Sequence, residues 1–555
     1  MSKTAAVDYI VIGAGSAGCV IASRLSEQQD ATVLLLEAGG HDDHLSIRMP
    51  LAFLSAMLNP RFAWGFMSEP ESGLGGRPLW VPRGRILGGC SSINGMFYMR
   101  GHPRDFDEWR DLGCDGWGYA DVLPYFRRSE TSWRGASLYH GADGPLQVVP
   151  IDTAKLLHEP IMEAARRAGY PLSEDINGER AEGFARGEAT IDRNGRRAST
   201  ARAYLAPAQM RSNLRIELNA LTTRVLVEHG RAVGVEYVQG GKTQVVRAER
   251  EVILCGGAYN SPQLLLLSGV GPAAQLEKAG IPIAVDLPGV GQNLSEHHAV
   301  MLEFAATRPV TFINELRMDR AALSVARWAL FGSGPFATQI NSANGIVRTD
   351  RSLDRPDIQY MCNPVRMDAK LWWPLFSGEQ RHVFSVGVVG LHPRSRGNVT
   401  LRSANPADAP RIVINALTDT ADLETLRRGI REARRIYRTP PQGDLTGEEL
   451  SPGKDVTSDA DLDAFIRSTS QLCQHPVGTC SMGKGPTAVV DPQARVYGVE
   501  RLRVVDASIM PTVPGGNTNA AVIMAAEKVS DLIRGRQLAS AELGRVRGVA
   551  AAWAS

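Results

Sequence analysis

The stretch Tyr9-Ile10-Val11-Ile12-Gly13-Ala14-Gly15-Ser16-Ala17-Gly18-Cys19-Val20-Ile21-Ala22-Ser23-Arg24-Leu25 decides the fold. Its first four residues form an apolar run suited to a buried strand, and its last seven follow a helical pattern. Between them Gly13, Gly15 and Gly18 give the spacing GxGxxG: the first glycine allows a tight turn, the second lets a pyrophosphate approach the backbone, and the third lets helix and strand pack closely. The amides and dipole at the helix N-terminus favour negative charge, which places Ser16 at the phosphate end of a bound dinucleotide. A second apolar run, Thr32-Val33-Leu34-Leu35-Leu36, ends in Glu37, nineteen residues after Gly18, where a carboxylate can accept from ribose hydroxyls; Ala38 follows it into the same site. A ligand-free glycine turn would leave that carboxylate without a role. A secretory signal does not fit Asp8, the single basic Lys3 or the glycine pattern.

Working outward, the 555 residues suffice for two or three domains. The 61 basic and 59 acidic residues nearly cancel, so neither nucleic acid nor an anionic membrane is expected as the main partner. Seven cysteines without a CxxC pair imply reduced thiols and a cytoplasmic protein. No apolar run approaches the roughly 18 residues that span a bilayer, which leaves peripheral attachment to the inner membrane open. Strand-like runs at 214–216, 224–227, 232–237 and 251–254 are expected to extend the first sheet. Alternation at 383–390 and 399–401 suggests antiparallel strands, with a helical pattern over 422–438 beyond them. The expected class is α/β: a Rossmann-like first domain, built from 1–153, 196–305 and 466–537, interleaved with a second domain of antiparallel sheet plus helices, from 154–195 and 306–465. The residues 538–555 read as a fraying tail.

Further motifs occur in order: Gly84-Arg85-Ile86-Leu87-Gly88-Gly89-Cys90-Ser91-Ser92-Ile93-Asn94-Gly95, Gly257-Ala258-Tyr259-Asn260-Ser261-Pro262-Gln263, Leu287-Pro288-Gly289-Val290-Gly291-Gln292-Asn293-Leu294, Gln474-His475-Pro476-Val477-Gly478-Thr479-Cys480, Val504-Val505-Asp506-Ala507-Ser508 and Gly516-Asn517-Thr518-Asn519-Ala520. With the fingerprint, they resemble the glucose-methanol-choline (GMC) oxidoreductase family, in its branch of bacterial choline and alcohol dehydrogenases, from about Tyr9 to Leu532. The resemblance implies FAD lying extended in the first domain, with the second domain as a substrate-binding roof over its isoalloxazine ring. It implies flavin contacts at Gly88, Gly89, Ser91, Asn94 and Gly95, an adenine contact through the backbone of Val225, and further cofactor contacts at Asp506 and Ala507. Arg83 and Arg85 are read either as pyrophosphate partners or as members of salt bridges. Covalent relatives bond the flavin through a histidine where this chain has Ile93, so the FAD is expected to dissociate. With a single GxGxxG there is no separate NAD site, and electrons are expected to pass to oxygen, a quinone or a soluble carrier.

Oxidising an alcohol to a carbonyl requires removing a hydroxyl proton and transferring a hydride, here to flavin N5, in one aligned arrangement. His475 matches the family's histidine, with a side-chain type suited to taking the proton near neutrality. Asn519, 44 residues later, is read as its partner, able to donate to the alcohol oxygen. Glu296-His297 reads as structural support, and Cys473 and Cys480 as core. No histidine spacing suggests a metal cage. In choline-oxidising relatives a roof carboxylate pairs with the quaternary ammonium; here the aligned place holds Ser342, and 338–348 contains no Asp or Glu. Gln474 stands where many relatives have an aromatic residue. Met361, Met367, Trp372, Trp373 and Phe376 are candidates for an apolar pocket or for domain core. The expected substrate is a neutral primary alcohol, aliphatic or aryl, with choline as the alternative. A hydroxynitrile lyase or a light-driven fatty-acid decarboxylase of the same fold is the alternative from another class.

Overall fold

The computed structural model describes residues 6–373, 376 and 380–543. The opening stretch folds as read: β1 (Ala6–Ile12) leads into α1 (Ser16–Leu25), and β2 (Val33–Leu36) returns parallel to β1. All four residues of β2 are buried, as expected of a parallel strand covered on both faces. β3 (Leu214–Glu217) continues the sheet beyond β2. On the other flank an antiparallel meander runs through β4 (Ala220–Glu228), β5 (Arg231–Gln239) and β6 (Lys242–Leu254). β6 is long enough to serve twice: 242–247 pair with β5, whereas 247–254 pair with β1 and, at 252–254, with the late strand Leu502–Val504. The chain therefore leaves this sheet and re-enters it about 250 residues later, which interleaves the two bodies.

The second sheet contains β7 (His298–Ala306), β8 (Ala343–Val347), β9 (Ile358–Asn363), β10 (Val383–Gly390) and β11 (Thr446–Ser451), in the order β11-β7-β10-β9-β8, closed at the far edge by Gly183–Ala185. All these neighbours are antiparallel. Between β7 and β8 lies α2 (Met318–Phe331), and α3 (Thr420–Arg438) covers one face of the sheet. Tyr360 donates to Gly429 O at 2.9 Å, and a Cβ on Gly429 would sit 2.6 Å from Val388 Cγ1, so a side chain at this point of α3 has no space. Strand alternation turns Gln359 and Met361, with their cross-strand neighbours Met301, Gly387, Asn344 and Ile346, to the opposite face.

Two expectations change. β7 belongs to the second sheet although sequence reasoning placed 298–305 in the first domain, whereas Asn398–Thr400 is antiparallel as expected, pairing with Arg411–Val413 in a separate ribbon. The tail does not fray at its start: Leu538 N donates to Tyr125 Oη, Ala541 N donates to Ala120 O, and Leu538, Ala541 and Leu543 pack on the first core. The remainder, 544–555, lies outside the described residues. A final helix, α4 (Asn519–Ile533), is buried nearly all round and packs against α1, so the two helix N-termini lie together.

Candidate active site

The glycines of the first loop do what their spacing requires. Gly13 adopts φ +94°, and a Cβ on Gly18 would fall 1.8 Å from Gly13 O. α1 starts at Ser16 from Gly15 with no side-chain cap and no acidic residue in its first turn. Its amides are therefore available to an anion. The second loop lies directly against the first: Gly88 N donates to Ala14 O at 2.7 Å, and a Cβ on Gly89 would meet Gly15 Cα at 2.6 Å. Glu37 is buried, accepts from Ala14 N and Gly39 N at 2.8 Å each, and is pushed up to about 7 by burial against the pull of those amides. An uncapped helix start, two glycine loops in backbone contact and a carboxylate at the strand end fit an extended dinucleotide such as FAD.

The other predicted cofactor residues show what each side chain is already doing. Ser91 donates to Gly88 O at 2.6 Å and accepts from Thr200 N, holding the turn of the second loop. Asn94 Oδ1 accepts from Met96 N and from Arg197, and a Cβ on Gly95 would lie 3.5 Å from Phe97 Cδ2 and 3.9 Å from Phe53 Cε2. Val225 N donates to Ser268 Oγ at 2.8 Å, so of its backbone pair the N–H is taken within the protein. The Asp506 carboxylate accepts from Ser508 N, Ser508 Oγ, Gly257 N and Ser261 Oγ, tying the turn at Ala507 to the helix start at Gly257; its side chain is committed to the fold. Ile93 packs with Ile47, Phe62 and Ile86. Ala38 contributes its carbonyl to Arg85, whose guanidinium lies over Trp64 at 4.5 Å, and Arg83 donates to Gln474; neither arginine is in a salt bridge among the described residues, which leaves the pyrophosphate reading of the two.

His475 sits where chain crossings meet. Its N–H donates to Glu296 Oε1 at 2.6 Å, its Nδ1 lies 3.0 Å from His297 Nδ1, and its Nε2 lies 3.1 Å from Asn517 Nδ2. The preceding Gln474 is held at φ +67°, a region costly for a residue with a side chain, and Arg83 fixes it by donating to its carbonyl at 3.1 Å and to its Oε1 at 2.8 Å. Burial, then the neighbouring His297 and Arg83, hold the His475 imidazole well below its ordinary pKa, so it is neutral at neutral pH. Beneath it, burial pushes the Glu296 carboxyl up to about 8.

Asn519 is not at His475. It is the first residue of α4, and its Oδ1 accepts from Ser16 Oγ at 2.7 Å, at the phosphate end of the first loop. The asparagine facing His475 is Asn517, two residues earlier, in the turn before the helix. Sequence reasoning also passed over Gln359, whose Nε2 is 3.5 Å from Asn517 Oδ1, and the buried Arg197. Arg197 donates to Ile47 O, Ser91 O and Asn94 O, pinning the second loop, and burial without an acidic partner pulls it down to about 9. Its Nη2 has no acceptor among the described residues, an orphaned donor beside the loop expected to meet the flavin. Of the proposed pocket residues, Met361 faces the site side of the roof; Trp372 is core, donating to Ile313 O, whereas Met367, Trp373 and Phe376 are exposed.

Models of the GMC oxidoreductase family match residues 7–299 and 393–526. The chain is 45% identical over 537 residues to the human mitochondrial choline dehydrogenase, covering 95% of this chain and 90% of that protein. It is also 45% identical over 536 residues to an oxygen-dependent choline dehydrogenase of Pseudomonas fluorescens (strain SBW25), covering 96% and 94%. Among solved structures, a pyridoxine 4-oxidase from Mesorbium loti superposes with a TM-score of 0.85 at 32% identity, covering 96% of this chain and 100% of that one. A formate oxidase variant from Aspergillus oryzae RIB40, studied for FAD modification, superposes at 0.88 with 27% identity, covering 96% and 98%.

Proposed function

The chain belongs to the GMC oxidoreductase family, an FAD-dependent class acting on CH–OH groups, and from that premise we propose that it oxidises a neutral primary alcohol to an aldehyde with His475 as the base. One observation carries the reading: His475 Nε2 and Asn517 Nδ2 face each other at 3.1 Å, both only half-buried. An alcohol oxygen set against both atoms, with the amide turning from Nε2 to meet it, gives its proton to Nε2 and accepts from the amide, which steadies the alkoxide-like charge that develops. FAD, when bound, supplies the acceptor for the hydride. The chain's own part is to hold the oxygen, take the proton and keep the glycine loops open to the cofactor. The decisive experiment is anaerobic mixing of the holoprotein with a panel of primary alcohols in the dark. Bleaching of the flavin absorbance is expected; no bleaching by any alcohol, with cyanohydrin cleavage or light-dependent carbon dioxide release instead, overturns the reading.

The neutral substrate is supported by the roof. The face around Gln359 presents Met301, Met361, Asn344 and Gly387, and its carboxylate, Glu303, stands four residues along β7 from the Gln359 row, about 13 Å away, and 3.4 Å from Arg366. Choline is the second reading, favoured by the choline dehydrogenases at 45% identity. Non-covalent FAD is supported by Ile93, which offers no nucleophile, and release of the yellow flavin on acid precipitation is its check. Oxygen, a quinone and a soluble carrier all suit as electron acceptor. No helix among the described residues is long and apolar enough to cross a membrane. Peripheral attachment to a membrane is supported by the outer face of α2, where Leu323, Leu330 and Phe331 are 71%, 75% and 75% exposed.

A further inference from the structure

Four contacts run in series through the site, and the chemistry at one end gives each a direction. Leu391 O, just past β10, can only accept, so His297 Nε2, 2.9 Å away, carries the proton. His297 is fully buried, and burial with the nearby His392 holds it down to about 3, so the ring is neutral and its Nδ1 has a lone pair. His475 Nδ1 lies 3.0 Å from that lone pair, with the two rings at 89°, and must be the donor. Its Nε2 is then bare, and Asn517 meets it with Nδ2, leaving Oδ1 to accept from Gln359 on β9.

We propose that His297, oriented by the Leu391 carbonyl, is a positioning residue that keeps the His475 proton on Nδ1 and so leaves Nε2 free to take the alcohol proton. The proposal rests on the alcohol-oxidation reading above. The competing tautomer of His475 would set two lone pairs against each other at 3.0 Å and leave Nε2–H pointing at the alcohol, with no base available. The arrangement is a lock and not a wire. When Nε2 takes the hydroxyl proton, the Nδ1 proton stays between the two rings, because His297 cannot hand its own proton to an amide carbonyl. The positive charge remains on His475, next to the oxygen that has lost the proton.

The test compares His297→Leu, which has no acceptor, with His297→Gln, whose carboxamide can accept from His475 and donate to Leu391. In stopped-flow flavin reduction at saturating alcohol, His297→Leu is expected to lose on the order of 10-fold to 100-fold in the limiting rate, as for orphaning one buried donor, while His297→Gln recovers to within a few-fold of the parent. FAD content and melting temperature are read in parallel. A rate for His297→Leu equal to the parent, or a loss in His297→Gln as large as in His297→Leu, overturns the proposal. If the leucine variant does not fold, two-bond 15N–1H spectra of the histidine-labelled parent holoprotein decide: protons on His475 Nδ1 and His297 Nε2 support the lock, and the opposite tautomer at either residue overturns it. A parent protein that no alcohol reduces defeats the alcohol-oxidation reading itself, an outcome separate from any of these.

Discussion

Asn517 and Asn519 stand two residues apart, and alanine at each separates a chemical role from a structural one. Asn517 Nδ2 is 3.1 Å from His475 Nε2, in position to donate to an oxygen gaining negative charge. Loss of one such donor costs about 10²–10³ in rate, or about 2.7–4 kcal/mol. Asn519 Oδ1 instead accepts from Ser16 Oγ at 2.7 Å, joining the starts of α1 and α4. Losing that bond costs about 0.5–1.5 kcal/mol of stability, a shift of about 1 °C in melting temperature for a chain of 555 residues, and weakens FAD retention because Ser16 opens the helix at the phosphate end. The assay is anaerobic stopped-flow bleaching at saturating alcohol, with FAD content and melting curves measured on the same preparations. Asn517→Ala is expected to be slow and fully loaded, and Asn519→Ala near-normal in rate per bound flavin. If Asn519→Ala loses more rate per flavin than Asn517→Ala, the geometric assignment is wrong.

Three further outcomes are expected. Gly89→Ala places a Cβ 2.6 Å from Gly15 Cα and should empty the protein of FAD, seen as loss of visible absorbance relative to protein; full flavin occupancy would refute the loop contact. Glu296, with its folded pKa raised to about 8 from 4.5, holds a proton that the unfolded chain releases, so its contribution to stability is fully present below about pH 4.5 and is lost as pH rises through 8. Glu296→Gln should therefore gain in melting temperature over the parent between pH 5 and pH 8.5, by up to about 5 kcal/mol in free energy, and a difference independent of pH would refute the shift. Replacing Leu330 and Phe331 together by serine should abolish co-sedimentation with zwitterionic phospholipid vesicles without changing the rate of flavin reduction; equal sedimentation of parent and variant would remove the membrane role of α2.

What was legible in the sequence was local. The strand-turn-helix of 9–25 and the carboxylate at 37 are each written in a few consecutive residues, and the structure has them as read, whereas the pairing of 502–504 with 252–254 is seen only in the fold. The partner of His475 was not legible, because Gly516-Asn517-Thr518-Asn519 offers two asparagines and spacing cannot say where the helix begins. α4 starts at Asn519, which commits that side chain to its neighbour Ser16, while Asn517 remains in the turn and is free to face His475. Likewise Glu296-His297 follows a turn motif and reads as support; that its ring meets His475, 178 residues away, depends on where β7 pairs. Apolar residues at 373 and 376 match a pocket in composition, yet they lie on the outside, since composition does not distinguish an inner from an outer wall.

If His475 is the base as proposed, the roof sheet would serve both substrate choice and base orientation, and its register separates the two. Gln359, Val389 and Ala299 form one row across β9, β10 and β7, and this row adjoins Asn517, Leu391 and His297, the groups that orient the pair. Met361, Gly387 and Met301 form the next row, about 7 Å further along the strands. A change at Met361 or Met301 alters the volume over the reacting centre while leaving the orienting row in place. A change at Gln359 alters both, because the amide that borders the pocket also accepts its orientation from that side chain.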